Sequence, residues 1–303
     1  MIGDTHLGKG FGNGTPLHRR GDREAQQWEK FRAALATPAD VIISMGDNFD
    51  HPFVSYGVAT AVAEAWLSAA TAAPDTRFIV MAGNHDRPRN LTMVGAWDAF
   101  REIVADRCNN LLLVEQACRI DDLLFLPWEW AVPVADQLTA IDTAGVVACF
   151  AHCDLFSFGG DESHIMPALA LASAGIDHIF TGHYHLPGDY TVDGTAVHCT
   201  GSLEPYSHGE DPHGERYVTL PLEDVLADPA ALLDKCVRVI LKPGEELPIG
   251  LDCLALTAIR PPDETIPTLE AGAQNFEWEK LLEAELEPLD PEVRDFIRER
   301  LSG

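Results

Sequence analysis

Short apolar runs recur along the chain, and each is followed at once by polar residues. The pattern predicts strands over residues 41–45 and 78–82, and two more within "VVACFAHCD" and "DHIFTGHYH". Segments with apolar residues at helical spacing lie between them, for example residues 22–36 and 56–73. Strands that alternate with helices are typical of a layered α/β domain.

The polar residues after these strands are expected to lie close together. In open α/β sheets, ligands collect outside the carboxyl ends of the strands. The pair Asp4-x-His6 joins this set if residues 1–3 are the stub of a further strand. Alternate residues of an extended segment point the same way, so both side chains of this pair would face one ion.

The candidate ligands combine carboxylate, amide and imidazole groups. This set is too large for one divalent ion and suits two ions that share a bridging carboxylate. First-row ions such as Mn²⁺, Fe²⁺ or Zn²⁺ suit imidazole with carboxylate, whereas Mg²⁺ or Ca²⁺ alone would prefer oxygen ligands. The predicted two-metal site consists of Asp4, His6, Asp47, Asn84, His152, His183 and His185.

Five motifs, in their order along the chain, resemble the calcineurin-like metallophosphoesterase superfamily. They are Asp4-x-His6, Gly46-Asp47-x-x-Asp50, Gly83-Asn84-His85-Asp86, an isolated His152, and Gly182-His183-x-His185. The resemblance implies a four-layer αββα sandwich, in which helices flank two mixed β-sheets. It also implies a small C-terminal cap-like β segment and a helical tail. The superfamily includes phosphatases, nucleotidases and nucleases.

A sixth block, "GSLEPYSHGE", is similar to the one that ends the nuclease domain of the SbcD-type family of double-strand-break-repair nucleases. Its matching residues are Gly201, Ser202, Glu204, Ser207, Gly209 and Glu210. This sequence departs from the family pattern in two places. The stretch "LEPYS" lacks the usual arginine, and only three residues precede Asp4. Either translation begins upstream, or a stub holds Asp4 and His6 poorly, because ligands need locked supports.

The resemblance also implies roles for the site residues. One metal goes to Asp4, His6 and His185, the other to Asn84, His152 and His183, and Asp47 bridges both. Manganese is the first candidate, with Fe²⁺ or Zn²⁺ as alternatives. Two ions about 3.5–4 Å apart can activate a water molecule beside the phosphorus.

Residues around the ligands receive further predicted roles. His85 would donate a proton to the leaving oxygen or stabilise the transition state, with Asp86 orienting its ring. Asp50, or His51, would help to place the sugar-phosphate. Gly46, Gly83 and Gly182 would leave room for the ions, where a Cβ would crowd the site.

Basic and aromatic residues near the motifs are candidate substrate contacts. Arginines that follow the first and third motifs could bind backbone phosphates, with solvated loop charges as the alternative; they are Arg19, Arg20, Arg23, Arg87 and Arg89. Trp128 and Trp130 could stack on bases, although a core position is the favoured interpretation.

Composition narrows the function classes. Forty-eight acidic against 21 basic residues give a formal charge of −27, which excludes a basic, sequence-reading nucleic-acid binder. An enzyme that holds phosphate through metal ions is not excluded. The seven cysteines form no C-x-x-C pair, which favours reduced, mostly buried thiols. No apolar run reaches the ~18 residues of a membrane span, and a signal-peptide pattern is lacking, so we expect a cytoplasmic protein without a membrane partner.

The 303 residues divide into three predicted parts. Residues 1–222 form the phosphoesterase (nuclease) domain, and residues 223–265 form a small capping-like domain with strands at 237–241 and 253–259 around a turn. Residues 266–303 form an acidic helical tail that docks either on an ATPase partner or on the chain's own body.

Three functional hypotheses follow. The first is an SbcD-like DNA nuclease, a 3′–5′ exonuclease and structure-dependent endonuclease. It would act as a homodimer with an SbcC-like, SMC-type ATPase in repair and recombination. The second is a stand-alone phosphatase or nucleotide phosphodiesterase that acts on a small molecule. The third is a catalytically weak DNA-end-sensing subunit.

Overall fold

The structure is a computed structural model that describes residues 1–157 and 162–261. The predicted helical tail, residues 266–303, lies outside them. Among the described residues the helices are α1 Asp22–Leu35, α2 Tyr56–Ala72, α3 Ala96–Val104, α4 Val134–Thr139, α5 Ala168–Ser173 and α6 Leu222–Ala227. The strands are β1 Val41–Ser44, β2 Arg77–Met81, β3 Leu111–Val114, β4 Cys118–Ile120, β5 Leu123–Leu126, β6 Ala148–Ala151, β7 His178–Thr181, β8 Gly188–Val192, β9 Thr195–Cys199, β10 Tyr217–Pro221, β11 Cys236–Ile240 and β12 Ala255–Ile259.

Two β-sheets carry the site. The first has the order β1-β2-β3 and is parallel throughout. The second has the order β4-β5-β6-β7-β9-β8 and is mixed, because β4 and β8 pair with their neighbours in antiparallel fashion. The four strands predicted from the apolar runs are confirmed as β1, β2, β6 and β7.

The first sheet is buried on both faces, as its alternating side chains show. Phe78 and Val80 of β2 pack in one cluster with residues of α1, α2 and α3. Ile79 and Met81 of the same strand pack in another cluster, together with Phe125 of the second sheet. Successive side chains of a strand point to opposite faces, so this division places helices on one side and the second sheet on the other.

The second sheet repeats the division. Its outward residues, such as Leu124 and Cys149, pack with Leu138 of α4 and Leu171 of α5. The layers are therefore helix, sheet, sheet and helix. The predicted αββα arrangement is confirmed, although the first sheet is parallel rather than mixed.

The segment before β1 lies against both sheets. The Ile2 amide donates to the Ile43 carbonyl at 2.8 Å, and the Met45 amide donates to the Ile2 carbonyl at 2.9 Å. Asp4 forms a parallel bridge with Ser202, which follows the second sheet. The expectation that a stub would hold Asp4 and His6 poorly is wrong, because contacts with residues distant in sequence hold this segment in place.

A third, small sheet has the order β10-β11-β12. The strands predicted at 237–241 and 253–259 are present as β11 and β12, but they pair in parallel rather than across a tight turn. Val237, Val239 and Cys253 bury against Val225 of α6. The Leu256 amide donates to the Gly14 carbonyl at 2.9 Å, which ties this sheet to the loop after the first motif.

The described residues include no helix with both the length and the apolarity needed to cross a bilayer. All seven cysteines are free thiols, and five of them are buried. The prediction of reduced, mostly buried cysteines is confirmed.

Candidate metal centre

The predicted ligands lie at the carboxyl ends of strands of both sheets. Asp47 follows β1, Asn84 follows β2, and His152 follows β6 directly. Two groups of side chains could each hold a metal ion, because within each group the potential ligand atoms lie within 4.8 Å of one another. One group is His6, Asp47 and His85, and the other is Asp47, His152 and His183. Asp47 belongs to both. A carboxylate shared by two groups is what a bridged pair of cations requires.

Three of the predicted ligands adopt backbone conformations that are rare for non-glycine residues. The φ angles of His6, Asp47 and His183 are 44°, 49° and 69°. Such conformations cost about 1–3 kcal/mol each and persist only where the surroundings fix them. The amides of Thr5 and His6 both donate to the Asp47 carbonyl, at 3.0 and 2.9 Å. The first two motifs thereby fix each other's turns.

Several hydrogen-bond acceptor atoms lie close together around Asn84. The His152 Nδ1–H donates to the Met45 carbonyl at 2.7 Å, so its Nε2 is the free nitrogen of the neutral ring. This Nε2 lies 2.9 Å from Asn84 Oδ1 and 3.4 Å from Asp47 Oδ1. His183 Nδ1 also lies 2.9 Å from Asn84 Oδ1. Atoms that can only accept repel one another at these distances unless a proton or a cation lies among them.

Acceptor atoms also lie close together around Asp4. His6 Nε2 lies 3.0 Å from His185 Nε2, and His185 Nε2 lies 3.7 Å from Asp4 Oδ2. Both carboxylate oxygens of Asp4 are fully buried and have no hydrogen-bond partner. A buried carboxylate without partners is costly, and a metal ion is one of the few groups that satisfies it. The residues present therefore fit a divalent cation.

The charges of this cluster shift the pKa values of its members. Burial raises the pKa of Asp4 to about 6 and lowers that of His6 to about 3. Burial also opposes the imidazolium form of His152, but the facing Asp47 carboxylate outweighs it and raises the pKa to about 9. Without a cation, a proton on His152 offsets the charge of Asp47. Metal binding would release that proton, because metal ligands must be deprotonated.

A comparison with protein families agrees with this geometry. The family model of the calcineurin-like phosphoesterases matches residues 1–187. The chain belongs to the calcineurin-like phosphoesterase family. It is accordingly a metal-dependent phosphoester hydrolase, and the motifs that predicted this family lie within the matched residues. No curated protein sequence matches the chain.

Three glycines of this phosphoesterase stand where a side chain would displace ligands. A Cβ on Gly46 would overlap the His152 ring, and a Cβ on Gly83 would overlap the Asp47 carboxylate and amide. A Cβ on Gly182 would come within 2.9 Å of Asp4 Oδ1. The prediction that these positions must lack a Cβ is confirmed.

His85 lies at the edge of the centre. Its amide donates to Asp47 Oδ1 at 2.8 Å, and its Nδ1–H donates to the Asp50 carbonyl at 2.7 Å. The second bond leaves Nε2 as the reactive ring nitrogen. His85 also belongs to one of the two potential metal-binding groups, with His6 and Asp47. Its assignment to the leaving oxygen stays a prediction.

The expectation that Asp86 orients the His85 ring is wrong. Asp86 is fully buried, and its carboxylate accepts hydrogen bonds from the amides of Phe49 and Gly83 and from the side chain of Asn48. It therefore fixes the loops of the second and third motifs. The backbone carbonyl of Asp50 holds the His85 ring instead.

The carboxylate of Asp50 lies beside the centre. Its Oδ1 accepts a hydrogen bond from Lys9 Nζ at 3.0 Å and lies 3.7 Å from His6 Nδ1. Its predicted part in placing the sugar-phosphate stays a prediction, as does that of the exposed His51.

The predicted phosphate-binding arginines divide into two sets. Arg23 is buried in an ion pair with Glu204, and Arg19 bonds to Asp22 and Asp252, so neither guanidinium is free for substrate. The prediction for these two residues is not supported, whereas Arg20 is exposed. Arg87 and Arg89 line a cleft beside His85. Their contact with substrate phosphates stays a prediction.

The two tryptophans also differ. Trp128 is buried and stacks on the His164 ring, with ring centroids 3.9 Å apart, as the core interpretation predicted. Trp130 lines the cleft that contains Arg87 and Arg89.

Two carboxylates next to the ligands have no assigned role in the sequence analysis. Asp154 contacts His183, and Glu210 contacts His185. The spacing His152-x-Asp154 repeats that of Asp4-x-His6 and could have drawn attention to Asp154. Glu210 belongs to the sixth block, residues 201–210, but nothing in the sequence places it beside a histidine.

Proposed function

We propose that this phosphoesterase is a two-metal DNA nuclease of the SbcD type that hydrolyses phosphodiesters, with manganese as its first candidate metal. The observation that carries the proposal is that the SbcD-like block, residues 201–210, is joined to the metal centre. Leu203, within this block, donates its amide to the Asp4 carbonyl at 3.0 Å. The Tyr206 hydroxyl donates to the carbonyls of Asp4 and Thr5 at 3.1 and 2.6 Å.

A cleft beside His85 supports a polymeric substrate. Its volume is about 380 Å³, and its lining includes His51, Phe53, His85, Arg87, Arg89 and Trp130. The Arg89 guanidinium lies 5.4 Å from the centre of the Trp130 ring. In the described part of the chain, neither Arg87 nor Arg89 forms an ion pair with a carboxylate. Cationic and aromatic side chains together suit the phosphates and bases of a strand that continues past the scissile bond.

The chain's own residues have separable tasks in this reaction. Two divalent ions, when bound, supply an activated water molecule and neutralise the phosphate oxygens. Asn84, His152 and His183 would hold one ion, Asp4, His6 and His185 the other, and Asp47 both. His85 would approach the leaving oxygen through Nε2, because its Nδ1–H is engaged by the Asp50 carbonyl. A proton given from Nε2 would make the departing oxygen a neutral hydroxyl group.

The test compares two substrates with the full chain in manganese. One is a short single-stranded DNA labelled at either end, and the other is a small phosphomonoester. The proposal predicts release of nucleotides from the DNA, starting at its 3′ end, and little turnover of the monoester. If the monoester is hydrolysed rapidly and the DNA stays uncleaved, the stand-alone phosphatase is favoured. The strongly acidic composition lends some weight to that hypothesis.

The cleft variant Arg89→Ala refines this test. It removes a predicted phosphate contact without touching a predicted metal ligand. We expect a higher KM for DNA with an unchanged rate on a small phosphodiester. Arg77→Ala is the matched control, because Arg77 is paired with Asp121 away from the cleft.

The proposal also covers the cellular location of the protein and its partners. A cytoplasmic homodimer would work with an SbcC-like, SMC-type ATPase in DNA repair and recombination. Residues 266–303, the predicted docking segment, lie outside the described residues. If the chain lacking them still binds a candidate ATPase, this part of the proposal fails.

A further inference from the structure

Each imidazole of the Gly-His-x-His pair contacts a carboxylate on the side away from the predicted ion. His183 Nε2 lies 3.0 Å from Asp154 Oδ1, and His185 Nδ1 lies 3.3 Å from Glu210 Oε1. An ionised carboxylate can only accept, so in each ring this nitrogen carries the proton. The opposite nitrogens, Nδ1 of His183 and Nε2 of His185, therefore present lone pairs when the rings are neutral.

Those lone pairs point at other acceptor atoms. His183 Nδ1 lies 2.9 Å from Asn84 Oδ1, and His185 Nε2 lies 3.0 Å from His6 Nε2. The two rings thus use different nitrogens toward the centre. Without the two carboxylates, neither tautomer would be fixed, and each ring could turn its N–H toward the position of the ion.

We propose that Asp154 and Glu210 are positioning residues of the metal centre, one for each ion. Asp154 fixes His183 in the group with Asn84 and His152, and Glu210 fixes His185 in the group with Asp4 and His6. The inference rests on the two-metal centre of the proposed function, but it does not depend on which phosphoester is cleaved.

Asp154 is held rigidly enough for this task. Its amide donates to the His164 carbonyl at 2.9 Å, and its carbonyl accepts from the Met166 amide at 2.8 Å. It lies two residues after His152, so the same strand end supplies one ligand and the support of another.

Glu210 is held through its carboxylate. Its Oε2 accepts from the Tyr206 amide at 2.8 Å, and its Oε1 accepts from the Ser207 hydroxyl at 3.0 Å. These bonds leave Oε1 directed at His185. The SbcD-like block thereby supports the metal centre at Glu210 as well as through the backbone of Asp4.

The experiment is a calorimetric titration of Mn²⁺ into the metal-free full chain. The wild type should bind two equivalents. Asp154→Ala and Glu210→Ala should each weaken one of the two binding steps by about 10- to 100-fold, the usual cost of losing such a support. Asp154→Asn keeps an oxygen acceptor and should lose less affinity than Asp154→Ala.

Double variants show which ion each carboxylate serves. In an Asn84→Ala background, the step to which Asp154 contributes is already lost. We therefore expect Asp154→Ala to cause little further loss there, whereas Glu210→Ala still weakens the remaining step. Asp189→Ala is the matched control, since Asp189 Oδ1 contacts the exposed His198 at 2.7 Å, away from the predicted ligands.

The outcomes separate this inference from the proposed function. A wild type that binds no manganese would contradict the two-metal proposal itself. A wild type that binds two ions, with the same affinities in all carboxylate variants, would overturn the positioning roles alone. If Asp154→Ala does not fold, unchanged affinities in Asp154→Leu, which removes the acceptor but keeps the branched shape of the side chain, and in Glu210→Ala would overturn them equally.

Discussion

Arg23 Nη1 donates to both carboxylate oxygens of Glu204 at 3.1 Å, and the two side chains are only 1% and 2% exposed. The pair joins α1 to the SbcD-like block. The neighbouring Gln27 of the same helix donates to the carbonyls of Thr5 and His6, at 2.8 and 3.0 Å. One face of α1 thus holds the first motif and the last block against each other.

The first prediction concerns this buried ion pair. Glu204→Ala leaves a buried guanidinium without its partner and should lower the free energy of unfolding by about 3–5 kcal/mol. Replacing both residues with apolar ones, Arg23→Met with Glu204→Leu, should cost far less, because no charge is then buried. Urea denaturation followed by tryptophan fluorescence measures both. Glu223→Ala, which breaks the exposed pair with Lys242, is the control and should cost about 0–1 kcal/mol. A double variant as unstable as Glu204→Ala would contradict this explanation.

The second prediction concerns Gly83. A Cβ there would overlap the carboxylate of Asp47, so Gly83→Ala should displace the shared ligand. We expect a loss of about 1–3 kcal/mol in stability and of roughly 10²-fold in kcat, since a shift of about 1 Å at a reacting centre has such an effect. Gly12→Ala, where a Cβ would meet nothing within 4 Å, is the control. Equal activity of the two variants would show that Asp47 need not stay where the structure places it.

The third prediction concerns His85. If it donates a proton to the leaving oxygen, His85→Ala should lower kcat by about 10²-fold or more and leave manganese binding at two equivalents. His178→Ala, at an exposed strand position, should change neither quantity. Unchanged turnover would favour the catalytically weak, DNA-end-sensing subunit. Loss of one equivalent of manganese would make His85 a metal ligand instead.

The sequence predicted the site best where a side chain that can bind a metal ion lies just after the end of a strand. Asp47, Asn84, His152 and His183 could be predicted because each follows an apolar run, and the carboxyl ends of these strands, two from each sheet, come together at the site. The need for a glycine at position 83, where a Cβ would overlap Asp47, could be predicted for the same reason, because Gly83 lies just after the end of β2.

Residues whose partners are distant in sequence could not be assigned in this way. Arg23 lies in a basic cluster with Arg19 and suggested a phosphate contact, yet its partner Glu204 is 181 residues away. Asp86 adjoins His85 in sequence, but it turns inward to the amides of Phe49 and Gly83. Sequence proximity suggested a catalytic pair, whereas the turn between the two residues sends their side chains in different directions.

The fourth prediction concerns pH. Asp211 accepts hydrogen bonds from the amides of Glu215, Arg216 and Tyr217, at 3.0, 2.6 and 2.7 Å. Burial alone would raise the pKa of this carboxyl, but the three bonds outweigh it and hold the pKa below its usual value of 3.8. The unfolded chain therefore binds the proton more readily. The stabilisation by Asp211 is complete above about pH 4 and is lost as the pH falls through the lower folded-state pKa.

Asp211→Asn tests this sign. The variant replaces one accepting oxygen with an NH₂ group and should be less stable than the wild type by about 1–3 kcal/mol at pH 7. The difference should shrink below about pH 4 in urea titrations. Asp193→Asn is the control, because Asp193 is exposed and its φ of 49° suits asparagine. A difference that stays constant between pH 7 and pH 3 would rule out the charged form of Asp211 as its source.

The central claim is that Asp47 lies between two cations. Anomalous diffraction from a crystal soaked in manganese tests it most directly. We expect two peaks on either side of the Asp47 carboxylate, one next to Asn84 and His152 and one next to Asp4 and His6. A single peak or none, with Asn84 and His152 turned apart, would contradict the account.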